Sequence, residues 1–445
     1  VQPAKRKGRD DLAVFRYTAL IWALALLALP GARGGAQAQD VYMNIEKGFG
    51  EKIAVVLPLF EGGGGLVDAN AVREVLSFDL NVSGHFAVTG NPAFVDETEA
   101  DDRSSGRINF QEWIALGGEI LVKGTFDSGL DEFSIEATAY DLSQGEAILG
   151  RRYASPSGRW REAVHSIADD IVSFLTGERG IALSKIAFVS NVTGTKEIYV
   201  MDYDGENMRR VTRDNMMAVY PAWFPGGQRI AYTRFRGQRQ ETCVVSAQSG
   251  ATTKLTTFPG LNAFVAVSRD GGSIAMSLSR DGNTEIYRLR SDGSDPRRLT
   301  TGRSTESSPC WSPDGRRIAF VSDRSGSPQI YAMPSTGGSA DRVTYRGGYN
   351  TSPDWSPKGD LLAYTSQVEG VFQIFTVDVE TKEVVRLTTG RENKEDPSWA
   401  PDGRHLVYSV KSGGKSDLYM IDIYEQEPLR LTSGSGDYLS PSWSF

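Results

Sequence analysis

Cysteine and histidine are scarce. Two cysteines, Cys243 and Cys310, and three histidines, His85, His165 and His405, are all that the 445 residues contain. No pair of them has the short spacing of a zinc ligand motif, so a structural zinc site is excluded. Basic charge is in deficit, with 48 Lys and Arg against 56 Asp and Glu, a net charge of −8. That balance argues against nucleic acid, whose phosphates require a basic face. Neither G-x-S-x-G nor G-x-G-x-x-G occurs, which removes the nucleophile elbow and the dinucleotide fingerprint. The four-glycine run Gly62 to Gly65 follows an apolar strand and precedes a helical pattern, yet no Lys-Ser/Thr follows it. It therefore reads as a plain flexible turn and not as a phosphate loop.

Long apolar runs are also lacking. Ala19 to Leu29, ALIWALALLAL, is 11 residues, about half of the ~20 that a membrane span needs. It follows Lys5, Arg6, Lys7, Arg9 and Arg16, and Pro30 and Gly31 end it. Ala36-Gln37-Ala38 supplies a small-x-small cleavage pattern. Residues 1–38 are thus predicted to be an export signal cut after Ala38. The mature chain would carry a net charge near −12.

What is present in quantity is a repeat. Arg210-Val211-Thr212, Lys254-Leu255-Thr256, Arg298-Leu299-Thr300, Arg342-Val343-Thr344, Arg386-Leu387-Thr388 and Arg430-Leu431-Thr432 recur every 44 residues. Trp223, Trp311, Trp355, Trp399 and Trp443 keep the same period, with Val267 at the sixth position, and Pro precedes each Trp by two residues. One unit contains four short strands. Ser308 to Trp311 is strand A, Arg317 to Val321 strand B, Gln329 to Met333 strand C and Asp341 to Thr344 strand D. The A–B turn, Ser312-Pro313-Asp314-Gly315, uses the chemistry of its residues: Pro presets φ, Asp bonds back to the backbone and Gly accepts positive φ. Four strands in about 40–45 residues make a propeller blade. The first unit begins at strand B, Lys185 to Val189, and an orphan strand A, Ser440 to Phe445, ends the sequence. The predicted fold is an all-β six-bladed β-propeller, residues 181–445, closed by the C-terminal strand. Cys243 and Cys310 lie at different phases of the repeat, in blades that are not neighbours. They read as two separate buried thiols.

Residues 39–180 lack the period and alternate strand and helix patterns, which gives an α/β N-terminal domain. Strands are predicted at Lys52 to Phe60, His85 to Thr89, Glu119 to Phe126, Phe133 to Asp141 and Ala147 to Tyr153. Helices are predicted at Leu66 to Leu80, Asn109 to Leu116 and Trp160 to Thr176, the last ended by Gly177. Val41, Met43 and Ile45 alternate with Tyr42, Asn44 and Glu46, the pattern of a strand that can add to a sheet edge.

Function is expected on loops held by the rigid ring. The D–A connections cluster at one mouth of the channel, and the α/β domain enters the ring from the other. Phe258, Asn262, Glu306, Tyr349, Asn350, Glu395 and Tyr438 are the exposed candidates for contact there. The turn carboxylates Asp281, Asp314 and Asp402 read as turn chemistry. No sequence pattern demands a metal or cofactor.

The start VYMNIEKG at Val41 to Gly48, the strand IAVVLPLF at Ile53 to Phe60 and the repeats with Trp-Ser-Pro-Asp-Gly at 311–315 together resemble the TolB family of periplasmic Tol-Pal proteins. The resemblance covers the whole chain. It implies a non-enzymatic, monomeric adaptor that binds the peptidoglycan-associated lipoprotein Pal through the propeller mouth. It implies a second partner, TolA, for the mature N-terminal segment, with Gln39, Asp40, Val41, Tyr42, Met43, Asn44, Ile45 and Glu46 as its contacts. It implies a role in outer-membrane integrity and constriction at division, with bacteriocins and other outer-membrane proteins as further partners. Carried over, the Pal site takes in Phe258, Leu261, Asn262 and Ala263, and Ser304, Thr305, Glu306 and Ser307. Two other readings of the residues stay open: a hydrolase or lactonase using the channel, and a peptidoglycan-binding module.

Overall fold

Alternation decides the first domain. In the computed structural model, which describes residues 51–445 apart from Gly64 and Leu66, strand β1 (Ile53–Val56) sends Ile53 and Val55 to one face and Val56 to the other. Both faces are apolar, so both must be covered. The remaining elements are β2 (Glu61–Gly63), α1 (Ala69–Val82), β3 (Phe86–Thr89), α2 (Pro92–Ser105), α3 (Phe110–Ala115), β4 (Ile120–Ser128), β5 (Glu132–Asp141), β6 (Glu146–Pro156) and α4 (Trp160–Thr176). The sheet order is β3-β1-β4-β5-β6, parallel among β3, β1 and β4 and antiparallel onward. Helices α1 and α4 cover the Ile53/Val55 face through Val72, Leu76, Ile167 and Ile171. Val95 of α2 and Trp113 of α3 cover Val56 and Leu121.

The predicted elements appear with shifted ends. The helix expected from Leu66 starts at Ala69, because Asp68 caps it by accepting from Ala71 N–H at 2.8 Å. Helix α4 ends where predicted, with Gly177 left-handed at φ 70°. Helix α2 was not predicted; it has few apolar residues, but its signals were Asn91 as cap, Pro92 at the first turn and Gly106 at the end. The glycine run is a correction. Glu61–Gly63 pairs in parallel with β4, and a Cβ on Gly62 would sit 2.1 Å from the Phe126 carbonyl oxygen. Gly62 is there for close approach of two backbones, and not merely for flexibility. The predicted signal peptide and the segment Gln39 to Gly48 lie outside the described residues.

From Lys185 onward six four-stranded antiparallel sheets follow, each a blade. Five are contiguous, as in Glu306–Trp311, Arg317–Ser322, Gln329–Pro334 and Asp341–Arg342. The sixth is split. Its strand A is Tyr438–Trp443, paired with strand B Lys185–Ser190 in the register Trp443↔Ile186 and Leu439↔Val189. The ring is closed by the C-terminal strand as predicted. Trp indoles stitch neighbouring blades: Trp311 donates to Ala266 O at 3.1 Å and Trp399 to Asp354 O at 3.2 Å. Every strand A is bulged, and the bulge puts one non-glycine residue at positive φ. These are Tyr220, Phe264, Ser308, Ser352, Asp396 and Ser440, spaced by the repeat.

The α/β domain rests on the A–B and C–D turns. Tyr203, in the C–D turn of the split blade, donates to Asp79 of α1 at 2.5 Å. Arg161 of α4 pairs with Asp204, Lys52 with Glu425 at 2.7 Å and Lys358 with Glu178 at 3.4 Å. The apolar core of the domain runs on without a break into Phe188, Met201 and Trp443 of the ring.

Candidate functional site

The mouth that the described residues leave uncovered is built from D–A loops and B–C hairpins. Each D–A loop leaves an Arg/Lys-x-Thr motif, and the structure gives that motif a job. The Thr300 hydroxyl donates to Glu285 Oε2 at 2.6 Å and accepts from Ile286 N–H at 2.9 Å. Arg298 Nε donates to the Thr300 carbonyl at 2.9 Å, and its Nη2 reaches Glu285 Oε1 at 2.5 Å. The clamp ties the end of strand D to the start of strand C. Gln329 with Thr344, Gln373 with Thr388 and Asp417 with Thr432 repeat it. The blade with Lys254 in place of Arg departs. There Glu241 turns instead to Arg234 at 2.8 Å, and the Thr256 hydroxyl has no partner.

The predicted contact residues divide into two sets. Tyr349 and Thr305 are exposed; Phe258, Leu261, Ser304, Ser307 and Glu395 are half-buried. Arg280 lies over the Phe258 ring at 4.7 Å, and Tyr349 meets Phe372 edge-on at 5.7 Å. The second set contradicts the expectation of exposure. Asn262 and Asn350 are fully buried, Ala263 is 2%, Glu306 1% and Tyr438 4% exposed. All but Ala263 occupy one repeat position, the start of strand A, which points between blades. They shape the loops. Asn262 accepts from Phe258 N–H at 3.0 Å and donates to Phe258 O and Gly260 O, folding that loop around its own amide. Asn350 donates to Gln329 Oε1 and Arg346 O, both at 2.8 Å. Glu306 accepts from Ser304 and Ser322 hydroxyls and from Arg324. Burial, with the Glu285 carboxyl beside it, pushes Glu306 above the usual carboxylate range. The neighbours in the same loops that sequence reasoning passed over are Tyr345, 64% exposed, and the exposed Arg303 and Arg346.

The channel behind this mouth encloses about 220 Å³. The bulge residues ring it with uneven chemistry. Tyr220 and Phe264 meet at 4.4 Å with their rings tilted by 40° on one side. On the other, Asp396 accepts from the Ser352 and Ser440 hydroxyls at 2.8 and 2.9 Å. Burial pushes Asp354, deeper in the bore, up to about 7. Among the described residues no three His, Cys, Asp or Glu side chains converge as metal ligands.

The histidines, distant in sequence, share one location. All three sit on the seam between the α/β domain and the ring. His165 Nδ1 lies 2.7 Å from Asp79, and His405 Nδ1 lies 2.6 Å from Asp402. His85 faces Arg404, Glu178 and Asp402. Both His–Asp pairs are almost wholly buried; each lies within one part, and the first is joined across the seam by Tyr203, which donates to Asp79.

Residues 172–445 match the family described as the TolB beta propeller domain, and residues 41–148 match the TolB amino-terminal domain. A protein TolB homolog of Chlorobium chlorochromatii is 35% identical over 296 residues, 66% of each chain. A Tol-Pal system protein TolB of Geobacter sulfurreducens is 37% identical over 210 residues, 46% of this chain and 48% of its own. The chain thus spans from about half to just under two thirds of these two relatives. The crystal structure of TolB from Acinetobacter baumannii superposes with a TM-score of 0.76 at 27% identity, over 88% of this chain and 97% of that one.

Proposed function

The chain belongs to the TolB family of the Tol-Pal system, and from that premise we propose that it is a non-enzymatic periplasmic scaffold whose open propeller mouth binds the lipoprotein Pal. One observation carries the reading. The α/β domain occupies the A–B and C–D face, so the described residues leave the D–A loops uncovered, all but the one after Thr256 anchored by a clamp and each presenting different side chains. A rigid frame with variable exposed loops is the architecture of a protein-binding surface. The buried Asn262, Glu306 and Asn350 set the loop shapes, and Phe258, Leu261, Ser304, Thr305, Ser307 and Tyr349 make the contacts. The segment Gln39 to Glu46 precedes the first strand and serves as the TolA strand. The pair of bindings links the outer membrane to the inner one and supports outer-membrane integrity and constriction at division.

Calorimetry with soluble Pal tests this. Thr305→Trp with Tyr349→Ala alters exposed positions only and is expected to weaken Pal binding by about thirtyfold or more, the loss of one hot spot. Deleting residues 39–46 is expected to abolish TolA binding and to leave the protein folded. Unaltered Pal affinity in the double variant would place the contact elsewhere.

A further inference from the structure

The open mouth has a charge character opposite to that of the chain. Arg213, Arg303, Arg346 and Arg391 stand exposed on four D–A loops, and Arg239 and Lys415 on two B–C hairpins. Among the described residues, none of these six forms an ion pair. Of the carboxylates of the same loops, Asp214, Asp281 and Glu392 pair with cations, whereas Asp323 and Asp437 accept only neutral hydrogen bonds and keep their charge. Asp214 holds Arg234 at 2.7 Å, Asp281 accepts from Tyr287 at 2.5 Å, and Asp323 accepts from Thr305 N–H at 2.9 Å. Glu392 pairs with Lys394 at 3.3 Å, and Asp437 accepts from Asn191 at 2.8 Å. Among the described residues Glu369 and the half-buried Glu395 also form no ion pair. The rim therefore sets six unpaired cations against Asp323, Glu369, Glu395 and Asp437, a local excess of positive charge on a chain whose net charge is −8.

We infer that this rim recognises an acidic protein face, one that supplies carboxylates to the unpaired guanidinium groups. Arginine forks bind carboxylates through two parallel N–H···O bonds, which fixes orientation as well as attraction. Oppositely charged patches also raise the encounter rate, and exposed charges do so in a salt-dependent way. Nucleic acid is disfavoured as the occupant, because the whole chain repels an extended polyanion while the rim is local. The exposed Tyr345 and Tyr349 between the cations suit a protein partner, for which tyrosine is a preferred contact residue.

The inference rests on the reading of the mouth as the partner face, and the test separates the two. Association of the intact protein with soluble Pal, with a synthetic Asp/Glu-rich peptide and with duplex DNA is followed by stopped flow. Wild type is compared with the double variant Arg303→Glu/Arg346→Glu. The Pal association rate is expected to fall about tenfold or more between about 0.05 and 0.5 M salt, and by a similar factor in the variant at low salt. Pal that binds at a rate indifferent to salt and to the variant overturns the inference and leaves the scaffold reading intact. Acidic peptide that binds and is lost in the variant, with Pal inert, upholds the inference and overturns the choice of Pal. DNA that binds more tightly than the peptide overturns it in favour of generic polyanion attraction.

Discussion

Lys185 and Ser444 are 259 residues apart in sequence and are bonded twice: Lys185 N–H donates to Ser444 Oγ at 2.8 Å, and Ser444 N–H donates to Lys185 O at 2.8 Å. With Trp443 opposite Ile186, these bonds are the clasp of the ring. Trp443 is 1% exposed. Trp443→Ala is expected to cost about 3–5 kcal/mol of stability in urea unfolding. Removing residues 438–445 is expected to expose the edge of the Lys185 strand and to give rapid proteolysis within the first blade. A truncated protein with native protease resistance would show that the ring closes by other means.

The clamp predicts an effect of buried residues on binding. Thr344→Val removes the hydroxyl that joins Gln329 to Ile330 N–H. The expected cost is about 1–3 kcal/mol, since a buried backbone donor loses its partner. Hydrogen exchange over residues 345–349 should quicken, and partner affinity should fall although no contact residue has changed. Exchange in that loop equal to wild type would refute the role given to Thr344.

The seam should respond to pH in a direction set by its histidines. Burial works to lower His165, but the hydrogen bond and charge of Asp79, with Asp204, outweigh it and hold the imidazole above 6.5. Asp402 does the same for His405. Burial also pushes Asp169 up to about 6. Groups raised on folding contribute stability that is full below their unfolded values and is lost as pH rises through the folded ones. His85, lowered by burial and by Arg404, acts in the opposite sense and only at the acid end. Raising the pH from about 6 to about 9 should therefore loosen the seam, read as faster exchange in α1 and α4. In His165→Gln/His405→Gln that slope should largely vanish; an undiminished slope would assign the effect elsewhere.

The thiols should be inert in the folded protein. Cys243 and Cys310 are free and buried. Burial pushes Cys243 up to about 11 and Cys310 well above the usual thiol value. Since the thiolate is the reactive form, thiol reagents at about pH 8 should modify neither until the protein is unfolded. Fast labelling of the native protein would contradict this.

The bulge ring gives a test of backbone conformation. Ser308 sits at φ 50°. Ser308→Gly should be neutral or slightly stabilising. Ser308→Val should cost about 1–3 kcal/mol, because a branched Cβ resists that region. Equal melting temperatures for the two variants would argue against a left-handed residue at this position.

Legibility of the sequence followed the physics of each element. The blades were readable because a 44-residue period repeats the same turn chemistry and the same Trp and Thr positions. The clasp was readable because one unit lacked strand A and the last lacked everything else. Helix α2 was missed because its surface is almost all polar, so no apolar stripe marked it; only its caps did. Of the twelve candidate mouth residues five are buried, where exposure would have been needed for contact. Asn262, Glu306 and Asn350 are polar, and polarity suggested exposure. Their polar atoms are consumed by loop backbone and neighbouring side chains, which a linear sequence does not display. The repeat position did hold the clue: it is also occupied by Ala218 and Tyr438, both buried.

The split blade imposes an order on assembly. Five blades are each made from contiguous chain and can form as soon as their own residues are available. The blade that begins at Lys185 must wait until residue 438 and beyond have been synthesised. Yet that same blade carries Tyr203 and Asp204, the turn on which the α/β domain sits. The earliest-made domain thus gains its permanent seat last, and in the interval an unfilled strand edge is exposed to whatever else can pair with it.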